Sequence, residues 1–174
     1  MKSLEIELTF LASRLPQEIM DAAPKRLVDI YIPENSSFPI VRLRQKGDEF
    51  EITKKVAVRE GDFSSHIEHT ISLTNDEFEA MRKSSNRTVE KDRYFVKIDN
   101  FRAEVDVFLG ELLGLVMIDF EFENEDARVH FRTPTCCLAD VTQEEFVLGG
   151  QLAGKSYADI QGKLDDFNYK QLIS

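Results

Sequence analysis

Ionic side chains of one sign recur two residues apart along this chain: Glu5 and Glu7, Asp119 and Glu121, Arg42 and Arg44. On a strand, residues two apart share a face roughly 6 to 7 Å from each other, so each pair sets like charges side by side. Such charges repel unless water or counter-ions lie between them. Hard divalent cations take oxygen ligands from a few carboxylates, with waters and substrate phosphate oxygens completing the shell. Glu5, Glu7, Asp119 and Glu121 are that kind of donor. Arginine grips phosphate oxygens as a fork and lysine acts as a point charge. Arg42, Arg44, Lys55 and Arg93 therefore suit several phosphates in a row, and the combined chemistry is that of a metal and polyphosphate site.

Other chemistries find less support. His66 and His69 are three apart and point to opposite faces of a strand, so they cannot chelate one ion together. No Walker-type loop and no GxGxxG occurs. The two cysteines, Cys136 and Cys137, are adjacent, which makes neither a disulfide framework nor a zinc site and fits a reducing compartment. A formal net charge of -10 over 174 residues repels phosphate backbones at long range, so binding to a nucleic-acid duplex or an anionic membrane is not expected. The opening MKSLEIE has no signal-like apolar core and no stretch is long enough for a membrane helix, so a cytoplasmic location is expected.

The elements that must position these side chains have period 2 over residues 4–10, 27–32, 39–46, 49–58, 66–73, 88–98, 101–108 and 116–123. A two-residue turn at Gly47-Asp48 sets Arg42 opposite Thr53 and Arg44 opposite Glu51, with Lys55 on the same side. A second at Asp99-Asn100 sets Arg93 opposite Asp106 and Phe95 opposite Glu104. Helical patterning covers 15–23, 74–83 with a Thr74/Glu77 capping box, the stretch ENEDARVHF, a further capping box at Thr142/Glu145, and a stripe of Tyr157, Ile160, Leu164 and Phe167 within 156–172. The expected fold is α+β but mostly β. It is a closed eight-stranded antiparallel barrel, residues 1–174 forming one domain, with acids and bases inside, helices covering the apolar outside and a helical C-terminal part.

The ExE at Glu5 and Glu7, RLRQKGDEFEITKK, KDRY, AEVDVFLGELLGL and DFEFE occur in an order that resembles the CYTH superfamily of triphosphate tunnel metalloenzymes, over about residues 4 to 142. The closing LAGKSYADI resembles that family's C-terminal helices. The resemblance implies a tunnel binding a triphosphate-bearing small molecule with Mg2+ or Mn2+, and hydrolysis of inorganic triphosphate or a nucleoside triphosphate, in a monomer or homodimer. By position it implies that Glu5, Glu7 and Glu121 are metal ligands, with Asp119 where the family more often has Glu, and that Arg42, Arg44, Lys55 and Arg93 bind phosphate. Glu68, Glu104 and Asp106 match acids of the tunnel floor and walls, one of which would orient the attacking water. Two departures stand out. The family signature is ExExK, and Thr9 takes the place of its lysine, while Phe95 replaces a basic residue that some hydrolases carry after Arg93. A lost charge-assisted phosphate contact costs about 1.5–3 kcal/mol; Lys91, on the face of Arg93, is the candidate substitute. Thr9 and Phe95 keep open a non-catalytic polyphosphate or nucleotide-binding module. A class IV adenylate cyclase is also open, although only MKSL precedes Glu5 where those enzymes carry a His-Phe pair.

Overall fold

In a computed structural model that describes residues 2–172, alternation of apolar and ionic residues produces eight long strands. They are β1 (Lys2–Ala12), β2 (Lys25–Ile32), β3 (Val41–Lys46), β4 (Glu49–Ala57), β5 (Ser65–Leu73), β6 (Thr88–Ile98), β7 (Phe101–Phe108) and β8 (Val116–Phe122). Their order is β5-β4-β3-β2-β6-β7-β8-β1, and β1 pairs back onto β5, so an antiparallel barrel of eight strands closes on itself. Both hairpin registers are those read from the sequence: Arg42 faces Thr53 and Arg44 faces Glu51, while Arg93 faces Asp106 and Phe95 faces Glu104. Asp99 and Asn100, at φ 48° and 70°, supply the left-handed pair that a tight type I′ loop demands.

A ninth strand, β9 (Cys137–Asp140), was not expected. It lies on β1 at Phe10–Ala12, on the edge where β5 holds Lys2–Ile6. Glu7 N donates to Ser64 O and Val141 N to Thr9 O, so the two strands share that edge in relay.

The apolar face of the barrel points outward and is covered in sections. Helix α1 (Asn75–Arg82), with the expected Thr74/Glu77 capping box, buries Phe78 against Ile30 and Leu43, with the Phe50 ring 4.8 Å away. Burying a side chain of that size stabilises by about 1.5–3 kcal/mol. After α2 (Glu125–Val129), Phe131 places its ring within 6 Å of Phe10, Phe101, Phe120 and Phe122. Helices α3 (Gly149–Leu152) and α4 (Tyr157–Asp166) do not cover the outside as expected: they pack Leu152, Ile160 and Leu164 with Leu11, Tyr31, Val89, Phe108 and Met117, apolar residues that share the inward parity of the ionic ones, and so close one end of the barrel.

Three helical expectations are corrected. Segment 15–23 forms only a 3-10 turn at Gln17–Ile19, because Pro16 and Pro24 bracket it and proline interrupts helical hydrogen bonding. Thr142 caps no helix: its hydroxyl accepts from Thr9 N at 3.0 Å and bonds Asp140 Oδ1 at 2.6 Å, leaving Glu145 to start a 3-10 turn. The last segment stops being helical near Phe167. Asn168 turns left-handed at φ 57°, and Tyr169 folds inward so that its hydroxyl accepts from Val116 N and donates to Gly114 O, both at 2.8 Å.

Candidate active site

With the apolar residues outward, the alternate positions of every strand converge inside the barrel. There they line one cavity of about 410 Å³. The structure brings together all twelve ionic residues singled out from the sequence: Glu5, Glu7, Arg42, Arg44, Lys55, Glu68, Lys91, Arg93, Glu104, Asp106, Asp119 and Glu121.

On one side the bases are already held. Arg44 donates Nε and Nη2 to the two oxygens of Asp29 at 2.6 and 2.7 Å, both residues being buried. Burial alone would raise the Asp29 carboxyl, but the Arg44 guanidinium holds it well below the usual carboxylate range. Arg93 grips Asp106 with Nε and Nη2 at 2.6 Å each and also meets Glu104; its Nη2 lies 3.6 Å from Asp119 Oδ2. Asp106, fully buried, also takes the Lys91 ammonium, and against the cost of burial Arg93 and Lys91 hold it strongly ionised. Burial outweighs Asp106 at Lys91 and lowers its pKa, and Phe108 lies 5.4 Å from its ammonium. Arg42 is less engaged: among the described residues its ion pair is a longer one, with Glu68 at 3.6 Å.

The opposite side is acidic. In register, Glu7 faces Glu121 and Thr9 faces Asp119 across β1 and β8. Thr9 donates its hydroxyl to Asp119 Oδ1 at 2.7 Å. Burial, with the charges of Glu7 and Asp106, pushes Asp119 up to about 7. Burial likewise raises Glu5 and Glu121, the latter also through Glu104, Glu5 and Glu7. Glu7 is lowered, because Lys55, His66, Arg93 and Arg42 together outweigh its burial. The ammonium of Lys55 sits among three carboxylates, at 2.5 Å from Glu5, 3.6 Å from Glu7 and 4.0 Å from Glu68. Glu68 also accepts from the Thr70 hydroxyl at 2.7 Å.

Among the described residues Arg42 Nε and His66 Nδ1 are buried with no hydrogen-bond partner, while Glu5 Oε2 meets the Lys55 ammonium at 2.5 Å. All three residues line this cavity. A guanidinium nitrogen and an imidazole nitrogen left unpaired in one chamber are costly unless a ligand meets them.

Sequence reasoning missed Asp29, Tyr31 and His66 as lining residues. Asp29 was visible as a lone acid in the apolar LVDIYI, on the face of Tyr31. His66 was discounted for pointing away from His69, although its own parity with Glu68 put it inside. Phe95 does not line the cavity; it is exposed, with Lys25 and Lys46 ammonium groups 5.7 and 5.8 Å from its ring centre.

A closed antiparallel barrel with facing beds of bases and acids defines a charged-tunnel protein. Comparison with known proteins narrows the class. The chain is 35% identical over 143 residues to an inorganic triphosphatase of Nitrosomonas europaea, covering 81% of this chain and 91% of that protein. A solved inorganic triphosphatase structure superposes with a TM-score of 0.63 at 29% identity, over 86% of this chain and 93% of that one. A Bacillus halodurans structure assigned as an adenylate cyclase shares the fold, with a TM-score of 0.58 at 17% identity over 99% and 94% of the two chains. No family model matches the chain. On the strength of the Nitrosomonas relative, the chain belongs to the CYTH superfamily of triphosphate tunnel metalloenzymes.

Proposed function

We propose that this protein is a metal-dependent phosphohydrolase that removes the terminal phosphate of inorganic triphosphate or a nucleoside triphosphate inside its tunnel. The observation that carries this reading is the convergence of opposed acids and bases on one cavity in which Arg42 Nε and His66 Nδ1 are buried without a partner. An oxyanion beside Arg42 answers the first of them.

Among the described residues no three His, Cys, Asp or Glu side chains stand close enough to grip one ion as they are; those around Lys55 enclose its ammonium. The donor set nonetheless fits Mg2+ or Mn2+. Glu5, Glu7, Asp119 and Glu121 are hard oxygen donors on the adjacent strands β1 and β8, and a dication offsets their mutual repulsion. These four residues would hold the ion, which supplies charge stabilisation at the terminal phosphoryl group when bound.

The chain's own residues do the rest. Asp29 and Asp106 hold Arg44 and Arg93 in fixed orientations before any phosphate arrives, which lowers the cost of ordering them. Arg42 and Lys55 complete the bed. Asp106 has both oxygens committed to Arg93 and Lys91 and acts as a positioning residue. Glu68 or Glu104 then orients the attacking water and takes its proton as the water oxygen bonds the terminal phosphorus; the bond from that phosphorus to the bridging oxygen breaks, and orthophosphate and diphosphate, or a nucleoside diphosphate, are released.

A colorimetric phosphate-release assay with inorganic triphosphate, ATP, and Mg2+ or Mn2+ tests the proposal. Release that depends on the ion supports it, and cyclic AMP made from ATP would reassign the protein as a cyclase. One observation favours a second reading, a binding module without turnover. Thr9 is hydrogen-bonded to Asp119, and Lys91, the candidate substitute for the missing lysine, is locked on Asp106. Thr9→Lys separates the two: a rise of at least tenfold in hydrolysis assigns an enzyme limited by the lost charge, and metal-dependent binding without turnover in both forms assigns the module.

The site is built within one chain, so a monomer suffices and a homodimer is compatible. No helix among the described residues is long and apolar enough to cross a membrane. The free thiols of Cys136 and Cys137 are consistent with a cytoplasmic setting.

A further inference from the structure

Lys55 holds three carboxylates from two other strands with one ammonium: Glu5 and Glu7 of β1 at 2.5 and 3.6 Å, and Glu68 of β5 at 4.0 Å. The side chain is largely buried, and β4 positions it from the neighbouring barrel wall, opposite Glu68 in register. Glu5 and Glu7 belong to the metal-binding group in the proposed function, on which this inference rests. An ammonium at 2.5 Å from Glu5 and a divalent cation bound by Glu5 and Glu7 cannot coexist, because both need the same oxygens.

We propose that Lys55 is a tethered counter-ion that competes with the metal for Glu5 and Glu7 and, when displaced, is delivered to the phosphates. Its positive charge needs a new partner on a wall where the side chain is only 28% exposed, since a part-buried unpaired ammonium is disfavoured. The phosphate chain provides one. Metal alone must leave Lys55 with Glu68 at 4.0 Å as its one remaining carboxylate among the three, whereas metal with polyphosphate gives it a new anionic partner. The two ligands therefore bind with positive coupling, and by linkage each raises the affinity for the other by the same factor. Arg42 strengthens the effect from the far side, because its 3.6 Å contact with Glu68 lets that acid stay neutralised after Lys55 moves. Lys55 is thus a positioning residue whose signature is metal affinity.

Titration calorimetry of Mn2+ into the full chain, with free ion buffered, provides the test. In the absence of any anion, Lys55→Met is expected to bind Mn2+ at least tenfold tighter than the unsubstituted protein, since the competitor is gone. A methylene-bridged, non-hydrolysable triphosphate analogue should raise Mn2+ affinity at least fivefold in the unsubstituted protein and less than twofold in Lys55→Met. Lys55→Arg, which keeps the charge and adds a fork suited to carboxylates, should bind Mn2+ at least threefold more weakly and serves as the independent variant should Lys55→Met not fold. Equal or weaker Mn2+ binding by Lys55→Met overturns the inference, as does tighter binding by Lys55→Arg. Absence of Mn2+ binding by the unsubstituted and both substituted proteins overturns the metal-dependent function itself, a pattern distinct from the other two.

Discussion

Arg42 and Arg44 sit two residues apart on one strand and face, yet the structure gives them different work. Arg44 is locked to a buried Asp29, whereas Arg42 keeps a buried Nε without a partner. Arg42→Met should lower kcat/KM for inorganic triphosphate by ten- to a hundredfold, the worth of a charge-assisted contact of about 1.5–3 kcal/mol, with little change in melting temperature. Arg44→Met should instead unfold the protein more readily by about 3–5 kcal/mol in urea titrations, because it strands a buried carboxylate. Asp119 carries a pH prediction. Its carboxyl ionises near 3.8 when unfolded and near 7 in the tunnel, so the stability it contributes is whole below about 4 and is lost as pH rises through 7. A cation that takes this carboxylate must expel its proton, so Mn2+ affinity should climb with pH to about 7 and then level; calorimetry across pH 5–8 should find that inflection gone in Asp119→Asn. The charged pairs were legible because strand parity sorts them with no knowledge of the fold. What parity could not reveal is partnership: Asp29 meets Arg44, and Lys91 is taken by Asp106, only because β2, β3, β6 and β7 are neighbours in the closed wall.

Among the elements, long strands were readable because both faces carry a signal, apolar outside and ionic within. The hairpin at Asp99-Asn100 was readable because its residue types tolerate left-handed backbone. β9 was not, being four residues in a loop-like stretch whose pairing depends on β1 ending beyond the reach of β5. The Thr142/Glu145 motif misled because a hydroxyl that can cap a helix can equally receive the amide of Thr9. α3 was invisible for a related reason: Gly149 and Gly150 look like breakers but are required by close approach. A Cβ on Gly149 would lie 2.0 Å from the Tyr31 hydroxyl, and one on Gly150 2.2 Å from the Pro39 carbonyl. Gly149→Ala should therefore overpack this corner by about 1–3 kcal/mol, lowering the melting temperature by roughly 2 to 12 °C in a calorimetric scan.

For the whole molecule, a net charge of -10 must be reconciled with a polyanionic ligand. Segregation of charge does not achieve this, because the tunnel lining itself carries nine carboxylates against the six bases Arg42, Arg44, Lys46, Lys55, Lys91 and Arg93; a polyanion is therefore expected to bind together with cations that neutralise the acidic wall. Ligands of the native state should raise its stability by RT ln(1 + [L]/Kd), about 2.7 kcal/mol at a hundredfold excess over Kd. The methylene-bridged triphosphate with Mg2+ should thus lift the melting temperature by roughly 5 to 11 °C, and clearly more than the anion by itself. A flat response to both together would argue against ligand binding in the chamber.

The relay of β5 and β9 along one edge of β1 has a consequence for biosynthesis. The Thr9 amide has its acceptor on Thr142, 133 residues later. At about 5–20 residues per second, a ribosome needs roughly 7 to 27 seconds to make that distance, during which the earliest strand stays open along part of its length. Nascent chains of this protein should therefore engage chaperones until the last third of the polypeptide emerges, and a chain halted before Cys137 should be recovered as aggregate rather than as a smaller barrel.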